Sequence, residues 1–189
     1  MPGQRPPRKP PRRGRTAGAS SLVLVNTGEG KGKTTAAMGT VLRAVARGWK
    51  VCAIQFIKSG RWRAGEEQVA RRLGVEWWAT GDGFSWESED LERSAALARA
   101  AWEAAKEKIS SGDYDLVVLD EVTYPMNWGW IPTDEVAEAI RDRPPHVSVI
   151  ATGRDAPEAL VEAADTVTEM RKVRHAFDRG VGARRGIDF

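Results

Sequence analysis

Residues 27–34 read Thr-Gly-Glu-Gly-Lys-Gly-Lys-Thr, between the apolar run Leu22-Val23-Leu24-Val25 and a helical pattern that starts at Thr34. An apolar run, a glycine-rich turn and a helix start, in that order, predict a buried strand, a tight loop and the first helix. Gly28, Gly30 and Gly32 let backbone N–H groups converge on one point, the geometry that cradles phosphate oxygens. The segment follows the phosphate-loop pattern G-x-x-x-x-G-K-[ST], with Thr27 in place of the first glycine. Lys33 supplies charge and Thr34 a hydroxyl suited to Mg²⁺. The expected triphosphate contacts are Thr27, Gly28, Glu29, Gly30, Lys31, Gly32, Lys33, Thr34 and Thr35.

The rest of the chain alternates strands and helices. The helix from Thr34 places Ala37, Val41, Leu42 and Val45 on one face, and Gly48 stops it. Strands are expected at 51–56, 75–79, 116–119, 147–151 and 166–170. Helices are expected at 65–73, 88–110, 133–141 and 157–164. The longest carries Leu91, Ala95, Leu97, Ala98, Trp102, Ala105 and Ile109 near one stripe. Residues 80–87 form a loop, and 171–189 have no clear period. This alternation predicts an α/β domain with a mostly parallel sheet flanked by helices, of the P-loop NTPase, RecA-like kind. Ligands of such sheets bind beyond the carboxyl ends of the strands.

Two of those ends carry charged groups. Leu119-Asp120-Glu121 closes one strand, where a carboxylate can serve Mg²⁺. Thr152-Gly153-Arg154 closes another, where a guanidinium can meet phosphate. Cys52, the single cysteine, lies inside an apolar strand and excludes an internal disulfide. Neither His146 nor His175 has metal-ligand spacing to another His or Cys. No Ser–His–Asp arrangement is signalled, so a group-transfer reaction would take its nucleophile from the substrate.

The net charge of +3 belongs to one end of the chain. Residues 1–20 hold six Arg or Lys side chains and no acid, so the remaining 23 basic groups face 26 acidic ones. Five of the ten prolines also lie in that stretch, with Met1 its one large apolar side chain. It is expected to be a disordered arm, because it cannot bury enough surface to offset its ordering entropy. Residues 21–189 form the domain, long enough for a single core. A mildly acidic domain argues against a nucleic-acid partner. No apolar run approaches the roughly 18 residues of a membrane span, and the composition suits a reducing cytoplasm.

Taken together, these motifs resemble those of the P-loop ATP:corrinoid adenosyltransferases (the cob(I)yrinic acid a,c-diamide adenosyltransferase family). The matching stretches run in order over about residues 22–189. They are 25–28 with 32–37, Gln55-Phe56-Ile57-Lys58, Gly83-Phe84-Ser85-Trp86-Glu87, Leu119-Asp120-Glu121 with Tyr124, Ala151-Thr152-Gly153-Arg154, 173–178, and Gly186-Ile187-Asp188-Phe189.

The resemblance implies that corrinoid Co(I) attacks the 5′ carbon of ATP and triphosphate leaves. It implies Lys33, Phe84 and Trp86 as the catalytic set, with Lys33 balancing leaving charge and the two aromatics displacing the lower axial ligand of the cobalt. It implies Thr34 and Glu121 as Mg²⁺ ligands, Asp120 as a water-mediated partner and Arg154 as a phosphate contact. It further implies an electron-donating, flavoprotein-like reductase, and allows a homodimer. Trp62, Trp128 and Trp130 sit in loops after strands and could line the flat corrin. Glu29 stands where the family commonly has Asn, and residues 1–20 are too rich in proline for the helical N-terminal segment that members often carry. The motif residues alone leave two other functions open: an ATPase acting on nucleic acid, or a nucleotide-dependent corrinoid carrier.

Overall fold

A computed structural model describes residues 19–59, 65–81 and 91–188. The elements run β1 (Val23–Thr27), α1 (Lys33–Val45), β2 (Val51–Ser59), α2 (Gly65–Arg72), β3 (Glu76–Gly81) and α3 (Leu91–Ser110). They continue with β4 (Leu116–Asp120), α4 (Thr123–Asn127), α5 (Thr133–Arg141), β5 (Ser148–Thr152), α6 (Glu158–Glu162) and β6 (Thr166–Glu169). A short 3-10 turn follows at Phe177–Arg179.

The six strands form one sheet in the order β3-β2-β4-β5-β1-β6, and every pairing is parallel. β4 and β5 are buried at every position, as strands covered on both faces must be. On one face α1 and α2 pack Ala37, Met38, Val41 and Ala70 against Ala53, Val118 and Ile150. On the other, α3, α5 and α6 pack Trp102, Ile109, Val136, Ile140 and Leu160 against Ile54, Leu119 and Val149. Trp102 is 2 % exposed, and its indole N–H donates to Glu135 Oε1 at 3.0 Å, so a large apolar body is buried without losing its polar bond.

The parallel α/β reading holds, and the sheet is parallel throughout. Several local expectations shift. β3 starts at Glu76 and β5 at Ser148. Leu42 is 52 % exposed, because the buried stripe of α1 runs through Ala37, Met38, Val41 and Ala44 and Leu42 lies one helical step off it. Leu91 is exposed at the first residue of α3. α4 was not expected. It is a single five-residue helix holding Pro125 in its first turn, where the missing N–H has no intrahelical partner to lose. No helix among the described residues is long and apolar enough to cross a membrane.

The parallel sheet has one functional consequence. The loops after β1, β4 and β5 all leave from the same edge, which brings residues 28–34, Glu121 and Arg154 together. β5 stands between β1 and β4, so any contact from the glycine loop to Asp120 must pass over it.

Candidate active site

The loop between β1 and α1 is held open by its glycines. Gly32 is the N-cap of α1, at φ 116°, with no side chain capping the helix. The first-turn N–H groups of α1 are thus left for a ligand, and an anion is what they favour. The loop also rests on the chain after β6. Gly30 N–H donates to Met170 O at 2.5 Å, and Met170 N–H to Thr27 O at 2.8 Å. A Cβ on Gly28 or Gly30 would lie 2.7 or 2.6 Å from Met170 O, so neither position admits a side chain without displacing backbone.

Lys33 is turned into the loop. Its Nζ donates to Gly28 O at 2.7 Å and to Gly30 O at 2.8 Å. Burial, and then the neighbouring Arg154 charge, hold its pKa below the usual lysine range. Thr34 Oγ1 donates to Asp120 Oδ1 at 2.8 Å, the contact that bridges over β5. Asp120 is fully buried and also accepts from Thr152 Oγ1 at 2.7 Å and Gln55 Nε2 at 2.7 Å.

Glu121 follows in a left-handed conformation, φ 63°, which costs a non-glycine residue about 1–2 kcal/mol. Its N–H donates to Thr152 Oγ1 at 2.9 Å. Arg154 is placed by its backbone: its carbonyl accepts Thr123 Oγ1 at 2.6 Å, while Asn127 Nδ2 donates to the Asp155 carbonyl at 3.0 Å.

These groups surround a cleft of about 230 Å³. Glu29, Gly30, Lys31, Gly32, Lys33, Thr34 and Thr35 line it from the loop side, and Glu121 and Arg154 from the β4 and β5 exits. Thr27 and Gly28 stand at the base of the loop, where Thr27 Oγ1 accepts Ala156 N–H at 3.1 Å. Glu29 points across the mouth to Arg154, 3.4 Å away. Phe84, Trp86 and Trp62 lie outside the described residues.

Four lining residues carry no role from the sequence: Glu66 of α2, Tyr124, His175 and Asp188. Tyr124 sits beside Glu121 and begins an aromatic run, 5.8 Å from Trp128, which is 4.7 Å from Trp130. Burial, then the Glu121 charge, raises its phenol pKa. His175 and Asp188 come from the C-terminal segment, where Asp188 Oδ1 pairs with Lys31 Nζ at 2.7 Å. No period signals this return of the chain. The ordered motifs at 173–178 and 186–189 were its one trace.

The donors fit a hard cation. Thr34, Asp120 and Glu121 offer oxygen only, and no group of three His, Cys, Asp or Glu among the described residues could hold a metal by itself. A cation here would complete its shell with phosphate and water oxygens, as Mg²⁺ prefers.

A parallel sheet, a glycine loop opening an uncapped helix and acids at the adjacent strand end define a P-loop nucleotide-binding protein. Residues 19–189 match the model of the family described as ATP:corrinoid adenosyltransferase BtuR/CobO/CobP. The chain is 45 % identical over 168 residues to a corrinoid adenosyltransferase of Escherichia coli K12, covering 89 % of this chain and 85 % of the relative. It is 45 % identical over 168 residues to the corrinoid adenosyltransferase CobA of Salmonella typhimurium, with the same coverage. It is 44 % identical over 170 residues to a corrinoid adenosyltransferase of Pseudomonas aeruginosa, covering 89 % of this chain and 83 % of the relative. The chain belongs to the ATP:corrinoid adenosyltransferase family.

Proposed function

We propose that this protein is an enzyme that transfers the 5′-deoxyadenosyl group of ATP to the Co(I) of a corrinoid substrate, releasing inorganic triphosphate. Cob(I)yrinic acid a,c-diamide, cobinamide and cobalamin are the candidate acceptors, in adenosylcobalamin biosynthesis or salvage. The observation that carries the reading is the convergence of the loop amides, Lys33, Thr34, Glu121 and Arg154 on one cleft in a chain of this family.

In the transfer, the electron pair of Co(I) forms the Co–C5′ bond as the C5′–O bond breaks. That bond's pair leaves with triphosphate, and no proton need move. The protein therefore has to neutralise leaving charge rather than supply a nucleophile. Cys52 suits no nucleophilic role: it is buried in β2, and burial pushes its thiol up to about 12. Lys33 exchanges the carbonyls of Gly28 and Gly30 for phosphate oxygens when triphosphate arrives. The loop N–H groups and Arg154 bind the remaining oxygens. Thr34 and Glu121 would hold Mg²⁺, with Asp120 behind them, and the ion would offset part of the triphosphate charge.

Phe84 and Trp86 are assigned, by the family resemblance, to the lower face of the corrin. Apolar groups there exclude a water ligand and ease reduction of Co(II). A flavoprotein-like reductase supplies the electron, the enzyme works in the cytoplasm, and a homodimer is its proposed assembly.

The test is anaerobic mixing of protein, ATP, Mg²⁺, a strong reductant and cob(II)alamin or its precursors. The expected result is a photolabile Co–C product with one triphosphate per turnover. Folded protein that alkylates none of these corrinoids would overturn the reading. Phosphate release stimulated by nucleic acid would replace it with an ATPase, and tight corrinoid binding with intact ATP would replace it with a carrier.

A further inference from the structure

Gln55 is 2 % exposed and lies beside Asp120 in the β2–β4 register. On the same face, two residues back along each strand, are Ala53 and Val118 in the apolar cluster under α1. A buried amide in such a place costs several kcal/mol unless it is bonded. Its Nε2 donates to Asp120 Oδ2 at 2.7 Å. From the other side Thr152, fully buried on β5, donates its hydroxyl to Asp120 Oδ1 at 2.7 Å and accepts Glu121 N–H at 2.9 Å. Thr34 donates to the same Oδ1 at 2.8 Å. Three donors on two carboxylate oxygens leave Asp120 one orientation.

We propose that Gln55 and Thr152 are positioning residues for the divalent cation of the bound nucleotide, a role that rests on the reading of Thr34 and Glu121 as its ligands. A threonine hydroxyl has one proton. With Asp120 locked, Thr34 gives that proton to Oδ1, and its oxygen lone pairs face the cleft. Were Asp120 free to turn, the proton could face the cleft and oppose a cation. Thr152 does a second task with the same hydroxyl, because accepting Glu121 N–H steadies the left-handed backbone that aims the Glu121 carboxylate. Gln55 thus prepares a ligand it does not touch: β2 stands three strands from β1, the strand that leads into Thr34.

The experiment measures ATP affinity by calorimetry with Mg²⁺ and with EDTA for the native chain, Gln55→Met, Thr152→Val and Thr152→Ser. Mn²⁺ replaces Mg²⁺ in a parallel series read by electron paramagnetic resonance. In the native chain Mg²⁺ tightens ATP binding. In Gln55→Met and Thr152→Val that tightening falls roughly tenfold, the low end of the loss expected when a metal ligand loses its supporting bond. Affinity in EDTA stays within about twofold, and Thr152→Ser restores the native ratio. Variants that melt earlier yet keep the native Mg²⁺-to-EDTA ratio would overturn the proposal, since they would show only a packing role. If Gln55→Met does not fold, the Val and Ser pair at position 152 decides alone. A native chain whose ATP affinity ignores Mg²⁺ would overturn the metal reading and this proposal together. Mg²⁺-dependent ATP binding without adenosyl transfer to any corrinoid would overturn the function and leave the positioning role standing.

Discussion

Glu29 and Arg154 face each other at 3.4 Å across the mouth of the phosphate loop. Both side chains are about half exposed, so the pair itself contributes roughly 0.5 kcal/mol. Its effect on binding is larger than its effect on folding. Triphosphate must compete with Glu29 for Arg154 and must also approach the Glu29 charge. Glu29→Gln should lower KM for ATP roughly two- to fivefold at low salt, with the gain shrinking as salt is added. A steady-state KM series from low to high salt checks this. An unchanged or raised KM would mean that Glu29 turns away when ATP binds.

Lys33 should be indispensable, and its titration should be visible. Lys33→Ala removes the charge proposed to meet the leaving triphosphate, so transfer should fall at least about 100-fold while the melting temperature changes little. Burial lowers the Lys33 pKa in the free protein, and triphosphate oxygens would raise it again. ATP binding should therefore take up a proton at alkaline pH, and affinity should fall as pH rises through the lowered pKa. Calorimetry in buffers of different ionisation enthalpy measures the uptake, which should vanish in Lys33→Ala. The stability sign follows from the same shift. In the window between the folded and unfolded values the unfolded chain binds more protons, so this group makes stability rise with pH there.

The residues proposed to bind were more legible than the residues that hold them. Thr34, Asp120 and Arg154 stood out because glycine spacing and charged groups at strand ends are local signals. That Asp120 accepts from Gln55 and Thr152 was not legible, since it depends on which strands lie side by side and in what register. The order β3-β2-β4-β5-β1-β6 is a global property that no window of sequence contains. α4 escaped for a different reason: five residues with an internal proline give no helical period to detect. Leu42 misled because its helical spacing fits a stripe, yet its neighbours Val41 and Met38 fill the sheet-facing side.

Gly153 is the glycine whose replacement should be least tolerated at the β5 exit. Its φ is +145°, and a Cβ there would lie 1.9 Å from Thr123 Oγ1. The same Thr123 hydroxyl donates to the Arg154 carbonyl, so the clash falls on the bond that places Arg154. Gly153→Ala should destabilise the fold by roughly 2–3 kcal/mol and raise KM for ATP. Adding Thr123→Ala removes the nearest clashing atom and should recover part of the stability but not the KM. Denaturant melts and ATP kinetics on the single and double variants check both halves. Full recovery of KM in the double variant would show that Thr123 does not place Arg154.

At the opposite edge of the sheet, Glu76 organises a cluster that should matter for stability alone. Its carboxylate accepts the Tyr114 hydroxyl and Trp78 Nε1–H, the latter at 2.7 Å, and pairs with Lys108 at 3.2 Å. These bonds, the Tyr114 contact foremost, lower the Glu76 pKa. A depressed carboxylate pKa gives stability that is present above the unfolded-state value and is lost as pH falls through the folded one. Glu76→Gln should therefore cost roughly 1 kcal/mol at neutral pH, a figure already reduced for solvent exposure, or about 2–4 °C in Tm. The gap between variant and native chain should close as pH falls below the usual Glu range. Transfer activity should be unchanged, because Glu76 begins β3 at the amino edge and the cleft lies at the carboxyl edge. Thermal melts from pH 3 to pH 8 test the sign, and a gap that widens in acid would show that the ionised carboxylate is not what holds the cluster.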